Sequence, residues 1–316
     1  MLKILFMGTP DFAVPILKSL VESAKVKVMA VVTQPDRPKG RGHGVRFSPV
    51  KQYALEQELL ILQPTKMREE GVAEALQAVG ADVFVVVAFG QILPVNILFI
   101  PPLGCINIHA SLLPKYRGAA PMQWAILNGD DHTGVTIMYM AKGIDTGDMI
   151  LKKSLPIEPT DRFTNVHDKM VALSCECIAE ALAKIENGTA PREPQNHDDA
   201  TYAPMLKKED GLINWSSTTT QIINQIRALD PWPGTYTLHE GQVLKIWDGI
   251  PADNADNKTD NITPGTVLND KNGKTLLVAT GDSALSITEL QGSGGKRMKA
   301  LDYLRGRAIV PGAVLG

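Results

Sequence analysis

The sequence predicts an α/β protein: a mostly parallel sheet with helices on both faces, followed by a small C-terminal β-barrel. Three observations carry this. Apolar strand-like runs alternate with amphipathic helical stretches through residue 186, the pattern of βαβ units. Ala81–Ala88 is an unbroken apolar run, as in a central strand covered on both faces. After Asn187-Gly188-Thr189 the pattern changes to short runs separated by Gly, Asn and Asp turns.

Leu2–Met7 reads as a buried strand running into Gly8-Thr9-Pro10-Asp11, where Asp11 can cap a helix over Phe12–Val21. Val26–Thr33, rich in β-branched residues, is a second strand. Helices are expected over Ser48–Glu58 and Arg68–Val79, with the central strand Ala81–Ala88 following. Gly104–His109 is a further strand, then a helix near Met122–Leu127, strands over Val135–Met140 and Met149–Leu155, and a long helix over Asn165–Glu186. The arrangement is Rossmann-like. Gly8 ends a strand, but no Gly-x-Gly-x-x-Gly follows it, so a dinucleotide fingerprint is absent.

Residues 1–189 are therefore expected to form the first domain, 190–208 an extended linker and 209–316 the second domain. The linker stretch carries several prolines and shows neither helical nor strand periodicity. Beyond it, strands are expected over Gly211–Ser216, Thr235–His239, Val243–Trp247, Gly265–Asn269, Thr275–Ala279 and Ala284–Leu290, with one helix over Thr218–Leu229. Asp270-Lys271-Asn272-Gly273 is a hairpin signal. Pro251–Pro264, rich in Asn and Asp, reads as a surface loop. Closely spaced short strands suggest a barrel of the oligonucleotide-binding type.

A chain of 316 residues is long enough for two cores. Its net charge of −2 implies no general affinity for anions. Three cysteines, Cys105, Cys175 and Cys177, are too few for a disulfide framework and suit a reducing compartment. Cys175 and Cys177 lie two apart in a helical pattern, poor geometry for a metal pair. The apolar run at Met1–Gly8 is too short for a signal peptide or membrane span, so a cytoplasmic, non-membrane protein is expected.

The stretch Ile106–Pro121 (Ile-Asn-Ile-His-Ala-Ser-Leu-Leu-Pro-Lys-Tyr-Arg-Gly-Ala-Ala-Pro) holds the most chemistry. In an extended strand residues i and i+2 share a face, so Asn107 and His109 project together while Ile106 and Ile108 face the core. Strand ends of open α/β sheets are where such groups act. Further along, Lys142-Gly143-Ile144-Asp145-Thr146-Gly147-Asp148 supplies a carboxylate, Asp145, in a tight turn. Taken singly, a histidine or a turn aspartate is as readily structural. Amide, imidazole and carboxylate together suit acyl transfer without a metal or a covalent nucleophile. Asp-Thr-Gly occurs once only, so a paired-carboxylate protease is excluded. Ser111 lacks the Gly-x-Ser-x-Gly elbow.

The chain resembles the methionyl-tRNA formyltransferases, a branch of the folate-dependent formyltransferases. The resemblance runs end to end, through Thr33-Gln34-Pro35-Asp36-Arg37-Pro38-Lys39-Gly40-Arg41-Gly42, Asn107–Pro121, Thr133–Asp148, Tyr202-Ala203-Pro204, Ile213-Asn214-Trp215-Ser216 and Pro231-Trp232-Pro233-Gly234. Asn-x-His-x-Ser-Leu-Leu-Pro marks the wider group; the Gln-Pro-Asp-Arg-Pro loop is narrower and points to the tRNA branch. The resemblance implies formyl transfer from 10-formyltetrahydrofolate, with no metal, to the α-amino group of methionine on charged initiator tRNA. Asn107 and His109 would donate hydrogen bonds to the developing oxyanion, each worth on the order of 10²–10³ in rate. Asp145 would hold His109 and relay the proton leaving the amine. Ser111, Leu112, Leu113 and Pro114 would line the folate site, joined by Phe89, Gln91, Ile92 and Leu93. A monomer is expected.

For tRNA, two basic clusters stand out: Arg37, Lys39, Arg41, His43 and Arg46 in a Gly-rich loop, and Lys296, Arg297, Lys299, Arg305 and Arg307 near the C-terminus. From Glu209 onward there are ten lysines and arginines against twelve aspartates and glutamates, so the second domain is not basic as a whole, contrary to what dominant phosphate binding requires. A sugar-nucleotide formyltransferase and a formyltetrahydrofolate hydrolase are the alternatives that use the same trio.

Overall fold

The computed structural model describes residues 1–38, 45–252, 262–270 and 275–316, without the side chains of residues 37, 38, 45 and 46. By internal contacts it divides into two compact units. One comprises Met1–Pro121, His132–Pro156 and His167–Ala203; the other comprises Met122–Asp131, Ile157–Val166 and Pro204–Gly316. Among the described residues no helix is long and apolar enough to cross a membrane.

The first unit holds a seven-stranded sheet. Across it the strands run Met149–Pro156, His132–Tyr139, Cys105–His109, Val83–Val87, Leu2–Gly8, Val26–Val32 and Ile61–Leu62. The five from Cys105–His109 onward pair in parallel, and the first two join antiparallel. All five residues of Val83–Val87 are buried, each contributing roughly 1.5–3 kcal/mol by leaving water. This β-branched run is apolar on every side because both its faces are covered.

Several elements differ from the sequence reading. The helix expected from Phe12 runs Ala13–Val21 and Asp11 does not cap it: Phe12 holds the cap position without a side-chain cap bond, and Asp11 Oδ1 accepts from the neighbouring Phe12 N–H at 3.1 Å. The helix expected over Arg68–Val79 shortens to Val72–Ala78, starting after Gly71 at φ 82°. The long helix runs Phe163–Glu186; within it Cys177 is buried and Cys175 half-buried, and both are free thiols. Two short pairings have no periodic signal: Arg37–Pro38 with Val45–Arg46, and Arg117–Gly118 with Tyr202–Ala203. The stretch read as linker is extended but pinned, because Glu193 bridges Met149 and Tyr202–Ala203 pairs in parallel with Arg117–Gly118.

The second unit is built on a curled five-stranded antiparallel sheet. Thr235–His239, Gln242–Pro251, Ala284–Gly292 and Leu276–Ala279 lie side by side, with Met298–Lys299 also on Ala284–Gly292. Ile213, Trp215, Ile222, Ile226, Ile246 and Leu290 form part of its core. The helix Thr219–Leu229 opens with a reciprocal capping box between Thr218 and Gln221. Gly211–Ser216 is not a strand but a 3₁₀ turn, Lys208–Gly211, followed by a single bridge from Leu212 to Tyr236. Gly265–Asn269 likewise reduces to isolated bridges at Thr266 and Val267. The helix Ala300–Gly306 had no counterpart in the sequence reading. The Asp270–Gly273 hairpin and most of the Pro251–Pro264 loop lie outside the described residues, although Asp270 Oδ2 accepts from Thr275 N–H at 2.8 Å.

Candidate active site

The strand Cys105–His109 delivers the first two groups. Ile106 and Ile108 are fully or nearly fully buried, which turns Asn107 and His109 to the opposite face at the C-terminal edge of the parallel strands. Asn107 is half-buried and His109 buried. The third group comes from the connection between His132–Tyr139 and Met149–Pro156. That connection is tight: a Cβ on Gly147 would sit 1.7 Å from the Tyr139 carbonyl oxygen, so only glycine fits there. Within it Asp145 adopts φ 52°, a left-handed conformation uncommon outside glycine.

The three groups converge on Asp145. Asn107 Nδ2 donates to Asp145 Oδ1 at 3.4 Å. The backbone N–H of Gly118 donates to Asp145 Oδ2 at 2.8 Å. His109 Nδ1 lies 3.5 Å from the same oxygen, with both side chains largely withdrawn from solvent. On its other side His109 Nε2 meets the Tyr116 carbonyl oxygen at 2.8 Å. A carbonyl can only accept, so Nε2 carries the proton and Nδ1 is the nitrogen turned toward the carboxylate. Tyr116 is itself at φ 62°. Two positive-φ residues other than glycine therefore flank the imidazole, consistent with strain held at a functional site.

The short strand Arg117–Gly118 is the frame for this arrangement. Its neighbour Tyr116 donates its N–H to Thr201 Oγ1 at 2.9 Å, and Arg117 N–H bonds the Thr201 carbonyl at 2.8 Å. A Cβ on Gly118 would lie 2.6 Å from the Ala203 carbonyl oxygen. The segment read as linker thus supplies the floor of the site. Sequence reasoning missed Tyr116, Gly118 and Thr201 because they act largely through backbone groups, which leave no residue-type signature. The Arg-Gly pair within the Ile106–Pro121 motif was the one available hint.

The folate-site candidates separate. Ser111 is buried; its Oγ donates to the Lys115 carbonyl at 2.7 Å, while its own carbonyl accepts from Thr136 Oγ1 at 2.7 Å. Leu113 packs with Met138 and Met149, and its N–H donates to Thr136 Oγ1 at 3.1 Å. Leu112 and Pro114 are half-buried. The side chains of Phe89 and Leu93 belong to the core. The Gln91 amide ties Met67 N–H, at 3.0 Å, to the Pro64 carbonyl, at 3.3 Å. Ile92 alone of the eight presents an exposed apolar side chain, 70 % accessible.

A groove of about 690 Å³ opens where the strand Cys105–His109 begins, and Asn107, His109 and Asp145 are not among its walls. Leu98, Phe99, Cys105, Tyr139, Met140 and Lys142 are among its walls. It shares the strand Cys105–His109 and the segment leading into the Asp145 turn. Arg192 at its edge stacks over the Tyr139 ring, 3.8 Å from its centre.

Of the basic residues, Lys39, Arg41 and His43 lie outside the described residues, as do the side chains of Arg37 and Arg46. The base of their loop is anchored: Lys51 pairs with Asp36, whose carboxyl also accepts from Gln63 Nε2 at 3.0 Å. The Lys51 ammonium holds the Asp36 carboxyl below the usual carboxylate range. In the second unit Lys296 is exposed, while Arg297 is committed to Glu289 at 2.7 Å and Asp230 at 3.1 Å, beside the Trp247 ring.

A family model described as formyl transferase matches residues 2–182, and one described as formyl transferase, C-terminal domain, matches residues 205–308. The methionyl-tRNA formyltransferase of Desulforamulus reducens is 48% identical over 316 residues, covering 100% of this chain and 98% of the relative. That of Clostridioides difficile is 45% identical over 316 residues, covering all of both chains. Among solved structures, WlaRD, a sugar 3N-formyl transferase in the presence of dTDP and 5-N-formyl-THF, matches with TM-score 0.65 at 20% identity, covering 91% of this chain and 97% of WlaRD. HypX from Aquifex aeolicus in complex with tetrahydrofolic acid matches with TM-score 0.60 at 18% identity; 96% of this chain is covered, but it spans only 47% of HypX. At such identities the two structures show a shared fold.

Proposed function

The chain belongs to the methionyl-tRNA formyltransferase family, and from that premise we propose that it moves the formyl group of 10-formyltetrahydrofolate onto the α-amino group of methionine carried by initiator tRNA, in support of translation initiation. The observation that carries the catalytic reading is the convergence of Asn107 and Gly118 N–H on Asp145, with His109 Nδ1 3.5 Å away.

The amine nitrogen attacks the formyl carbon, a C–N bond forms, and negative charge collects on the formyl oxygen. Asn107 Nδ2 is the donor for that charge. Its bond to Asp145 is long, 3.4 Å, and is exchanged at little cost for a shorter one to the oxyanion. The attacking amine must lose a proton as the C–N10 bond breaks and N10 of the leaving tetrahydrofolate must gain one. Asp145 Oδ2 and His109 Nδ1 form the path along which that proton moves. Because Nε2 is bound to Tyr116, any donation by His109 to the oxyanion runs through Nδ1. The folate is read as lying against Ser111–Pro114, which continue directly from His109, with the exposed Ile92 beside them.

The Gly-rich loop with Arg37, Lys39, Arg41 and Arg46 contacts the acceptor end of the tRNA, where single-stranded nucleotides are accessible. The second unit adds Lys296 and Arg297, with Lys299, Arg305 and Arg307 also exposed nearby, while its acidic residues outnumber its basic ones, in keeping with recognition that does not rest on charge alone. The test is formyl transfer from 10-formyltetrahydrofolate to methionyl initiator tRNA, methionyl elongator tRNA or no acceptor. Product with the charged initiator alone is expected. Release of formate, or transfer only to an amino sugar nucleotide, overturns the tRNA reading while leaving the trio in place.

A further inference from the structure

Gln195 lies in the stretch the sequence marks only as linker, yet it is one of the most completely bonded side chains in the first unit. It is 6 % exposed. Its Nε2 donates to the backbone carbonyls of Asp145, at 2.9 Å, and Gly147, at 2.8 Å. Its Oε1 accepts from Arg117 Nε, at 3.1 Å, and Nη2, at 2.7 Å. An amide side chain offers two donor hydrogens and two acceptor lone pairs, and here all four are used. Arg117 is equally buried, 2 % exposed, and its Nη2 also meets His197 Nδ1 at 3.0 Å.

The bonds join two segments that must stay in register. Residues 116–118 present the Tyr116 carbonyl to His109 and the Gly118 N–H to Asp145. Residues 145–147 form the turn that displays Asp145 at φ 52°. A turn in that region of backbone space persists only when its surroundings hold it. Gln195 grips the carbonyl of Asp145 itself and that of Gly147, and through Arg117 fastens both to the strand beneath the imidazole. We propose that Gln195 is a positioning residue for the reaction, holding the turn so that the Asp145 carboxylate stays on Asn107, Gly118 and His109. The inference rests on the catalytic reading of Asp145 given above.

The Gln195→Glu variant separates this role from simple packing. A carboxylate of the same shape still accepts from Arg117 and fills the same volume, but it has no hydrogens for the Asp145 and Gly147 carbonyls. A displacement on the order of 1 Å at a catalytic group costs about 10²-fold in rate. The expected result is a kcat at least tenfold lower, with KM for either substrate within about twofold, measured at a temperature where the variant is fully folded. Should the buried carboxylate hinder folding, Gln195→Met, equal in length, also lacks the donors. Because it leaves the buried Arg117 without its Oε1 acceptor, its thermal midpoint falls, and the same fall in kcat with KM kept is read below that midpoint. The decisive measurement combines Gln195→Glu with Asp145→Asn: if Gln195 acts through Asp145, the double variant is no slower than Asp145→Asn alone. Multiplied losses, or a Gln195→Glu enzyme with unchanged kcat beside a disabled Asp145→Asn enzyme, overturn this inference alone. An active Asp145→Asn enzyme removes the catalytic reading and the inference with it.

Discussion

A 2.8 Å hydrogen bond from His109 Nε2 to the Tyr116 carbonyl oxygen fixes which face of the imidazole is available for chemistry. The nitrogen left over, Nδ1, faces Asp145 Oδ2 at 3.5 Å. The backbone of a motif residue, rather than a side chain, thereby orients the ring, and the carboxylate receives whatever proton passes through Nδ1.

Asn107→Ala should lower kcat by about 10²–10³, the usual effect of losing one oxyanion donor. Its side-chain hydrogen bond to Asp145 is long at 3.4 Å, so the thermal midpoint should hold. Single-turnover transfer and thermal denaturation of the same preparation check both halves. A large fall in the midpoint would instead assign Asn107 a structural role.

Asp145→Asn should fold normally, because asparagine tolerates the left-handed φ of 52° and its Oδ1 can still accept from Gly118 N–H. It should nonetheless lose about 10²–10⁴ in kcat with the acid–base group. Retained binding of a folate analogue, measured by calorimetry, shows that the defect lies in the chemical step.

Gly147→Ala should cost about 1–3 kcal/mol of stability, as overfilling a packed site does, because its Cβ would collide with the Tyr139 carbonyl at 1.7 Å. Gly306→Ala is the control: like Gly147 it lies outside the positive-φ region, but it has nothing within 4 Å. Urea midpoints compare them. Equal losses would mean that the collision with the Tyr139 carbonyl does not govern Gly147.

The thiols should resist alkylation. Burial pushes the Cys105 thiol up to about 12 and Cys177 up to about 11 from an ordinary value near 9. Burial raises Cys175 as well. The reactive thiolate is therefore scarce at pH 8 and increases as pH rises toward those values. Iodoacetamide at pH 8 should label the native enzyme far more slowly than the urea-unfolded chain, read by intact mass. Rapid native labelling of Cys105 would show that the wall of the groove it lines opens readily.

Much of the first unit was legible from pattern. A run such as Val83–Val87 buries every residue, and its unbroken apolar composition states that directly. The pairing of Asn107 with His109 followed from the two-residue period of a strand, and the buried Ile106 and Ile108 confirm that register. Less was legible at the element edges. Gly211–Ser216 has strand-like residues, but Leu212 makes one bridge only, because the 3₁₀ turn at Lys208–Gly211 directs the chain across Tyr236 instead of along it. The folate candidates drawn from residues 89–93 directly follow the central strand, yet Phe89 and Leu93 turn into the core. A loop has no periodicity from which side-chain direction can be read.

The sequence by itself determined the fold class and the family, and it singled out Asn107, His109 and Asp145 as the catalytic candidates, since each depends on local periodicity or on residue types that pattern exposes. The tertiary structure decided how those residues are held. Tyr116, Gly118, Gln195 and Thr201 act through backbone groups or through partners up to 85 positions away. Such contacts arise only when the segment 193–203 folds back onto strands it follows in the chain. A hydrogen bond to a carbonyl asks little of residue identity and everything of position, and position is set by the folded chain as a whole.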